Sequence, residues 1–297
     1  MSRNRGGARR TAGTQLAILA GRLTPADRAL CRLLGEHQVL AAGQAADLVY
    51  GSAHTARHRL LVLHRLRVVD RFRPLVALGE GSAPYHYVLG EAGAQVLAAE
   101  HGVEVGQLGY RRDRALAVAH SPALPRLLAA NGFFAALARA ARHQPGTALL
   151  AWWPARRCAQ QWGELVRPDG YGRWRDADAE VDFFLEVPAA HPGHDQPTSA
   201  LPQPDGSAAV PGGDGWVARL AEQLAGYAAL AAGTQVRTPV LLWCSSAEQE
   251  AAARAALPAV PLPVATAPQT PAGPAGPVWL PLGVAGPRRR IGALATS

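Results

Sequence analysis

The chain has 297 residues, is 48% hydrophobic and carries a formal charge of +8. That length and apolar share supply the cores of one or two ordinary domains and exclude a disordered polyelectrolyte. No apolar run reaches the roughly 18 residues that a membrane span needs. The charge is uneven: residues 1–73 hold thirteen arginines against four acids, and the remainder holds seventeen against eighteen. A basic surface of that kind attracts phosphate backbones and releases their condensed counterions. Every one of the thirty Lys+Arg positions is arginine. Cys31, Cys158 and Cys244 lie far apart with no CxxC pairing, and read as small buried hydrophobes of a reducing cytoplasm. The N-terminus is charged and Gly-rich without the apolar core of a secretory signal, so a cytoplasmic location is expected.

Residues 1–22 read as a disordered basic tail with Arg3, Arg5, Arg9 and Arg10. Thr24 then caps a helix whose first residue is Pro25, which has no N–H to lose there, and Leu30, Leu33 and Leu34 recur at helical spacing. Val39-Leu40 follows, and Gln44 to Tyr50 forms a short amphipathic helix. Gly51-Ser52 breaks it, and Ser52 caps a third helix that buries Ala56, Leu60, Leu63 and Leu66. Val68 to Arg73 and Pro84 to Leu89 read as strands joined by a loose turn at Gly79-Glu80-Gly81-Ser82. Three helices followed by a hairpin predict a winged helix-turn-helix DNA-binding domain over residues 23–105, closed by a helix at Glu91–His101.

A long helix is expected from Leu124 to about Arg142, stopped by Pro145-Gly146. Strands follow at Thr147–Trp153 and Glu180–Val187, with the run Arg167 to Gly172 between them. Residues 188–215 are rich in Pro, Gly, Ser and Asp and read as a disordered insertion. A helix over Trp216–Ala231, a buried strand at Pro239–Cys244, a helix at Glu248–Leu257 and a strand at Leu262–Thr266 complete a second domain over residues 120–285. Val278-Trp279-Leu280 docks an edge, and residues 286–297 form a basic tail. The order α, β, β, β, α, β predicts an α/β domain behind the first one, giving a two-domain α/β (α+β) chain.

The third helix carries the candidate DNA-binding face: Ser52, His54, Thr55, Arg57, His58 and Arg65. Arg57 is the candidate base reader, since its fork matches guanine. Arg59 lies about 200° from Arg57 around a helix of 3.6 residues per turn, so it pairs with an acid or reaches a phosphate instead. Arg71 and Arg73 alternate on the wing strand, suited to the minor groove or the backbone. His54 and His58 share a face at zinc-ligand spacing, but only two ligands are visible, and DNA contact is the better reading.

A second constellation is paired carboxylates. Asp169, in Pro-Asp-Gly just after a strand, and Glu186, ending the next strand, could converge on one divalent metal. This layout resembles the PD-(D/E)xK nuclease fold, in which two acids hold metal and a lysine orients the attacking water. The lysine is missing. Pro188 stands at its usual place, and on the following helix, where Trp216, Leu220, Gln223 and Tyr227 share a face, the inward polar residue is the neutral Gln223. Asp169, Glu186 and Gln223 are therefore vestigial catalytic candidates, with Asp169 and Glu186 as metal ligands. Alternatively, Asp169 is a turn residue and Glu186 a solvated strand end.

The runs Leu165 to Trp174, Val181 to Glu186 and Leu224-Ala225-Gly226-Tyr227 resemble the replication-relaxation family of actinobacterial plasmids and integrative elements. Leu23 to Arg28 and Val68 to Phe72 match its winged-helix portion, so the resemblance covers roughly residues 20–285. It implies a DNA-binding protein in replication, relaxation or transfer of a mobile element, with a degenerate PD-(D/E)xK-like domain. The family tends to place an acid after the Asn of the first core helix, where Asn131 is followed here by Gly132. It also tends to carry a further acid where Pro188 stands and a lysine where Gln223 stands. No cofactor is expected, and Mg²⁺ is implied only if the nuclease-like site is active. The expected partner is double-stranded DNA, with a homodimer or replication and transfer proteins beside it and no membrane. Two alternatives stay open: a metal-dependent nuclease or nickase using Asp169 and Glu186, and a winged-helix transcription repressor.

Overall fold

A computed structural model describes residues 19, 21–74, 83–163, 165–188 and 215–294. The expected N-terminal tail up to residue 18, the Gly79–Ser82 turn and most of the 188–215 insertion lie outside the described residues. The chain is a mixed α/β protein that divides into two compact units, Met1–Asn131 and Gly132–Ser297.

In the first unit, α1 spans Pro25–His37 behind a capping box: the Thr24 hydroxyl accepts from the Asp27 backbone N–H, and the Asp27 carboxylate accepts from the Thr24 N–H at 2.8 Å. Such a cap satisfies two orphan donors of the first turn. Val39–Ala41 is β1, and α2 (Ala42–Ala45) widens into a π-helical turn over Ala46–Tyr50, ended by Gly51 at φ 74°. α3 spans Ala53–Arg65, with the Ser52 side chain accepting from the Thr55 N–H. β2 (Val69–Phe72) and β3 (His86–Leu89) form the expected hairpin. β1 was not legible as a strand, being three residues long; it pairs antiparallel with β3 at Val39↔Val88, so the sheet has the order β1-β3-β2. β3 is therefore central and buried along its whole length. α4 (Glu91–His101) and α5 (Arg112–Ala117) follow.

Asn131, followed by Gly132 where the family tends to place an acid, is 2% exposed, and its amide donates to the backbone carbonyls of His37 (3.2 Å) and Val39 (2.7 Å). It thus satisfies the His37 carbonyl, which the end of α1 leaves open, and the Val39 carbonyl of β1.

The boundary between the units falls within α6 (Leu124–His143). The second unit is a six-stranded sheet of order β4-β5-β6-β7-β8-β9, made of Thr147–Pro154, Gly170–Asp176, Ala179–Glu186, Val240–Cys244, Val264–Pro268 and Leu280–Pro281. β4 to β6 run antiparallel, β6 to β8 parallel, and β9 returns antiparallel. The α, β, β, β, α, β order is interrupted by α7 (Ala155–Trp162). Its sequence hides because only Cys158 is buried, which is too little apolar periodicity to register. α8 (Gly215–Thr234) and α9 (Ala247–Ala256) complete the layer on one face.

Period-two alternation along β6 explains the two-sided core. Phe184 packs with Trp216, Leu220, Leu224 and Tyr227 of α8. Phe183 faces the other way, against Phe133 and Phe134 of α6. Gly170 and Gly172 of β5 belong to this second face: a Cβ would lie 2.6 Å from the Phe134 ring at Gly170 and 2.3 Å from the Phe183 ring at Gly172. Both glycines are therefore set by aromatic packing. Gly172→Ala is expected to cost about 1–3 kcal/mol through overpacking, read as a lower urea midpoint at unchanged m-value.

Cys31, Cys158 and Cys244 are all buried and unpaired, and burial pushes each thiol up to about 12. They behave as the small hydrophobes expected.

Candidate nucleic-acid interface and paired carboxylates

The exposed face of α3 follows from its buried one. Ala56, Leu60 and Leu63 recur at spacings of four and three and are at most 1% exposed. That periodicity turns His54, Thr55, Arg57, His58 and Arg65 outward, and Ser52 is exposed at the helix start. The Ser52 hydroxyl also donates to Thr55 Oγ1 at 2.8 Å, so these two hydroxyls first serve the cap.

Arg59 turns away from that face and binds Asp27, which is 0% exposed. The Asp27 carboxylate accepts from the Thr24 hydroxyl at 2.8 Å, the Tyr50 hydroxyl at 3.1 Å, and both Nε (3.2 Å) and Nη2 of Arg59. Burial pushes this carboxyl up, and the hydrogen bonds from Arg59 and Thr24 outweigh it, so it titrates below its ordinary range. Burial beside Asp27 raises the Tyr50 phenol. One carboxylate thus joins the first helix, the π turn and α3, and fixes how α3 presents its outer face.

On the hairpin, Arg71 and Arg73 lie on one face of the β2 strand and its extension. Their guanidinium carbons sit 4.0 and 3.8 Å from the centre of the Tyr85 ring. Stacking of this kind contributes about 0.5–1 kcal/mol each at an exposed site and orders two long side chains beside the sheet. Phe72 stacks on His86 at 5.5 Å, and burial lowers the imidazole's pKa. His86 is therefore a neutral core group at neutral pH.

In the second unit, Asp169 comes immediately before β5, not after a strand. The intervening segment from β4 is α7 and its exit, so the run Arg167–Asp169 leads into the strand. Asp169 N–H donates to the Leu185 carbonyl at 2.9 Å, and its Oδ2 accepts from the Val187 N–H at 2.7 Å. Since Gly170 pairs with Leu185, the next step of the register brings Asp169 opposite Glu186. Both carboxylates act electrostatically on the Tyr227 phenol. Glu186 is 1% exposed and accepts from the Tyr227 hydroxyl at 2.5 Å. Burial and the Glu186 charge push the Tyr227 phenol well above its ordinary value.

Gln223 is half-buried; the residues of α8 that point fully into the core are Trp216, Leu220, Leu224 and Tyr227. The group sequence reasoning missed is therefore Tyr227. Its signal was present, because Tyr227 shares the inward face and a phenol has both an apolar body and a polar tip. Among the described residues no group of three or more His, Cys, Asp or Glu is placed to hold a metal ion. One oxygen of each carboxylate accepts a protein donor, and the Tyr227–Glu186 bond ties the end of β6 to α8.

A family model described as Replication-relaxation matches residues 31–196, more than half of the chain. No curated protein and no solved structure matches. Among the described residues no helix is long and apolar enough to cross a membrane.

Proposed function

Because the chain belongs to the replication-relaxation family, which points to a role in replication or relaxation of plasmids or mobile elements, we propose that it acts there by binding double-stranded DNA. In this reading the first unit is a winged helix-turn-helix. α3 enters the major groove with Arg57 at a base edge and His54, Thr55 and His58 beside it. Arg71 and Arg73, on the hairpin, meet the flanking backbone or minor groove, and the second unit is a nuclease-like scaffold without chemistry of its own. The observation that carries the reading is the outer face of α3: three histidine and arginine side chains, His54, Arg57 and His58, exposed within one turn and a half of a helix whose opposite face is locked in the core. The concentration of arginine in residues 1–73 supports it.

The test is fluorescence anisotropy of the full chain on labelled duplex DNA across a salt series. Binding is expected to weaken linearly in log–log form with salt, by about 0.9 for each phosphate neutralised. The double variant Arg57→Ala, His58→Ala is expected to lose about 1–3 kcal/mol of affinity, roughly five- to 150-fold. Both side chains are exposed, so folding is spared. Unchanged affinity in the folded variant would remove α3 from the interface.

A further inference from the structure

Two stretches of the sequence lack acids altogether. Residues 114–163 hold six arginines and no Asp or Glu, and residues 251–297 hold four arginines and no Asp or Glu. The second unit brings parts of both together around a pocket of about 330 Å³. One wall is the last turns of α6, with Arg139 and His143 four residues apart and so on one face. The other is the backbone of Ala272 to Ala275. Arg290 spans the two walls: its Nη1 donates to Gln144 Oε1 at 3.4 Å and to the Ala275 carbonyl at 3.2 Å.

Arg139 and His143 are exposed, and among the described residues neither makes an ion pair. No acid lines the pocket. One flank is acidic, because the turn that holds Asp176 and Asp178 abuts it: the Ala177 N–H donates to the Gly146 carbonyl at 3.0 Å. The volume lies within the roughly 300–1,000 Å³ of small-ligand pockets.

We infer that this pocket binds a phosphoryl group, held by Arg139 and His143 of its α6 wall, with Arg290 at its edge beside Gln144 and Ala275. The chemistry is that of arginine and imidazole donors around a site with no carboxylate of its own. Guanidinium forks match phosphate oxygens in a planar, two-pronged way. The imidazole adds a shorter donor from the same helix face. The group comes from one of two sources, a phosphodiester of bound DNA or a small free anion such as pyrophosphate. The inference does not depend on α3, which belongs to the other unit.

The test compares the full chain with its Arg139→Ala, His143→Ala variant, whose changes lie on an exposed helix face. Circular dichroism checks that the variant is folded. Pyrophosphate is titrated into each by calorimetry, and each is titrated onto labelled duplex DNA across salt. If the source is DNA, the log–log salt slope of the variant falls by about 1–2, since each phosphate contact contributes about 0.9. The wild-type response to Arg57→Ala, His58→Ala stays intact, which separates this site from the α3 reading. If the source is a small anion, pyrophosphate heat is present in the wild type and lost in the variant at unchanged DNA slope. That arm reads out even if the chain binds no DNA. Identical salt slopes together with no variant-sensitive pyrophosphate binding would overturn the inference.

Discussion

Arg59→Ala is expected to destabilise the protein by about 3–5 kcal/mol, because it leaves the fully buried Asp27 carboxylate without its cation. The remaining donors, Thr24 and Tyr50, are neutral. Arg59 sits on the helix proposed to meet DNA, so a binding assay alone would misread its loss as a lost DNA contact. The distinction is measurable: urea unfolding shifts strongly for Arg59→Ala and little for Arg57→Ala, whose side chain is exposed. Replacing both partners, Asp27→Ala with Arg59→Ala, is expected to recover part of the loss, since no charge is then stranded. The pair also sets a pH dependence. The folded Asp27 carboxyl titrates below its ordinary value, so its contribution is complete above about pH 4, the unfolded carboxylate range. It is lost as the pH falls through the folded value. An acid unfolding transition that stays in place in the Asp27→Ala, Arg59→Ala variant would show that other carboxylates govern it.

The elements of this chain that were legible were those whose local chemistry agrees with their tertiary role. Thr24-Pro25 and Ser52 announce helix starts, and the structure uses both as caps. The apolar spacing of Ala56, Leu60 and Leu63 identified the buried side of α3 and hence, by subtraction, its outer side. What stayed hidden was set by distant partners. β1 is three residues long and exists because β3 lies beside it. α7 buries one side chain. The 200° separation of Arg57 and Arg59 predicted different environments for them, but that Asp27 would be the acid required three helices to be placed at once. At the paired carboxylates, the sequence spacing places Asp169 and Glu186 at the ends of adjoining segments, next to the β5–β6 register. It did not reveal that Asp169 precedes its strand or that a phenol, and not Gln223, would complete the cluster. An inward Tyr227 and a half-buried Gln223 four residues apart differ by only about 40° around the helix, which a periodicity argument does not resolve.

Deleting residues 278–297 is expected to unfold the second unit, although the family match ends at residue 196. The segment supplies Trp279, 0% exposed, whose ring meets Phe133 edge-on at 6.0 Å and lies 5.7 Å from Trp243. Its indole N–H donates to the Pro274 carbonyl at 2.9 Å. Ile291 and Leu294 are buried as well. Trp279→Ala alone is expected to cost about 3–5 kcal/mol, the range for emptying a large aromatic site. The segment also supplies Arg288, which donates to both carboxylate oxygens of Glu250 at 2.9 and 2.6 Å. Glu250 is 3% exposed, and its other contact is the Thr266 hydroxyl at 2.7 Å. Truncation therefore opens the core and strands a buried carboxylate in one step, and a loss of that size exceeds much of the 5–15 kcal/mol that holds a typical domain together. Near-UV circular dichroism of the truncated chain should lose the tryptophan signal of the second unit, while Arg288→Ala should keep it with a lower urea midpoint. A truncated chain with a native near-UV spectrum would mean that the core around Phe133 and Trp243 closes without Trp279.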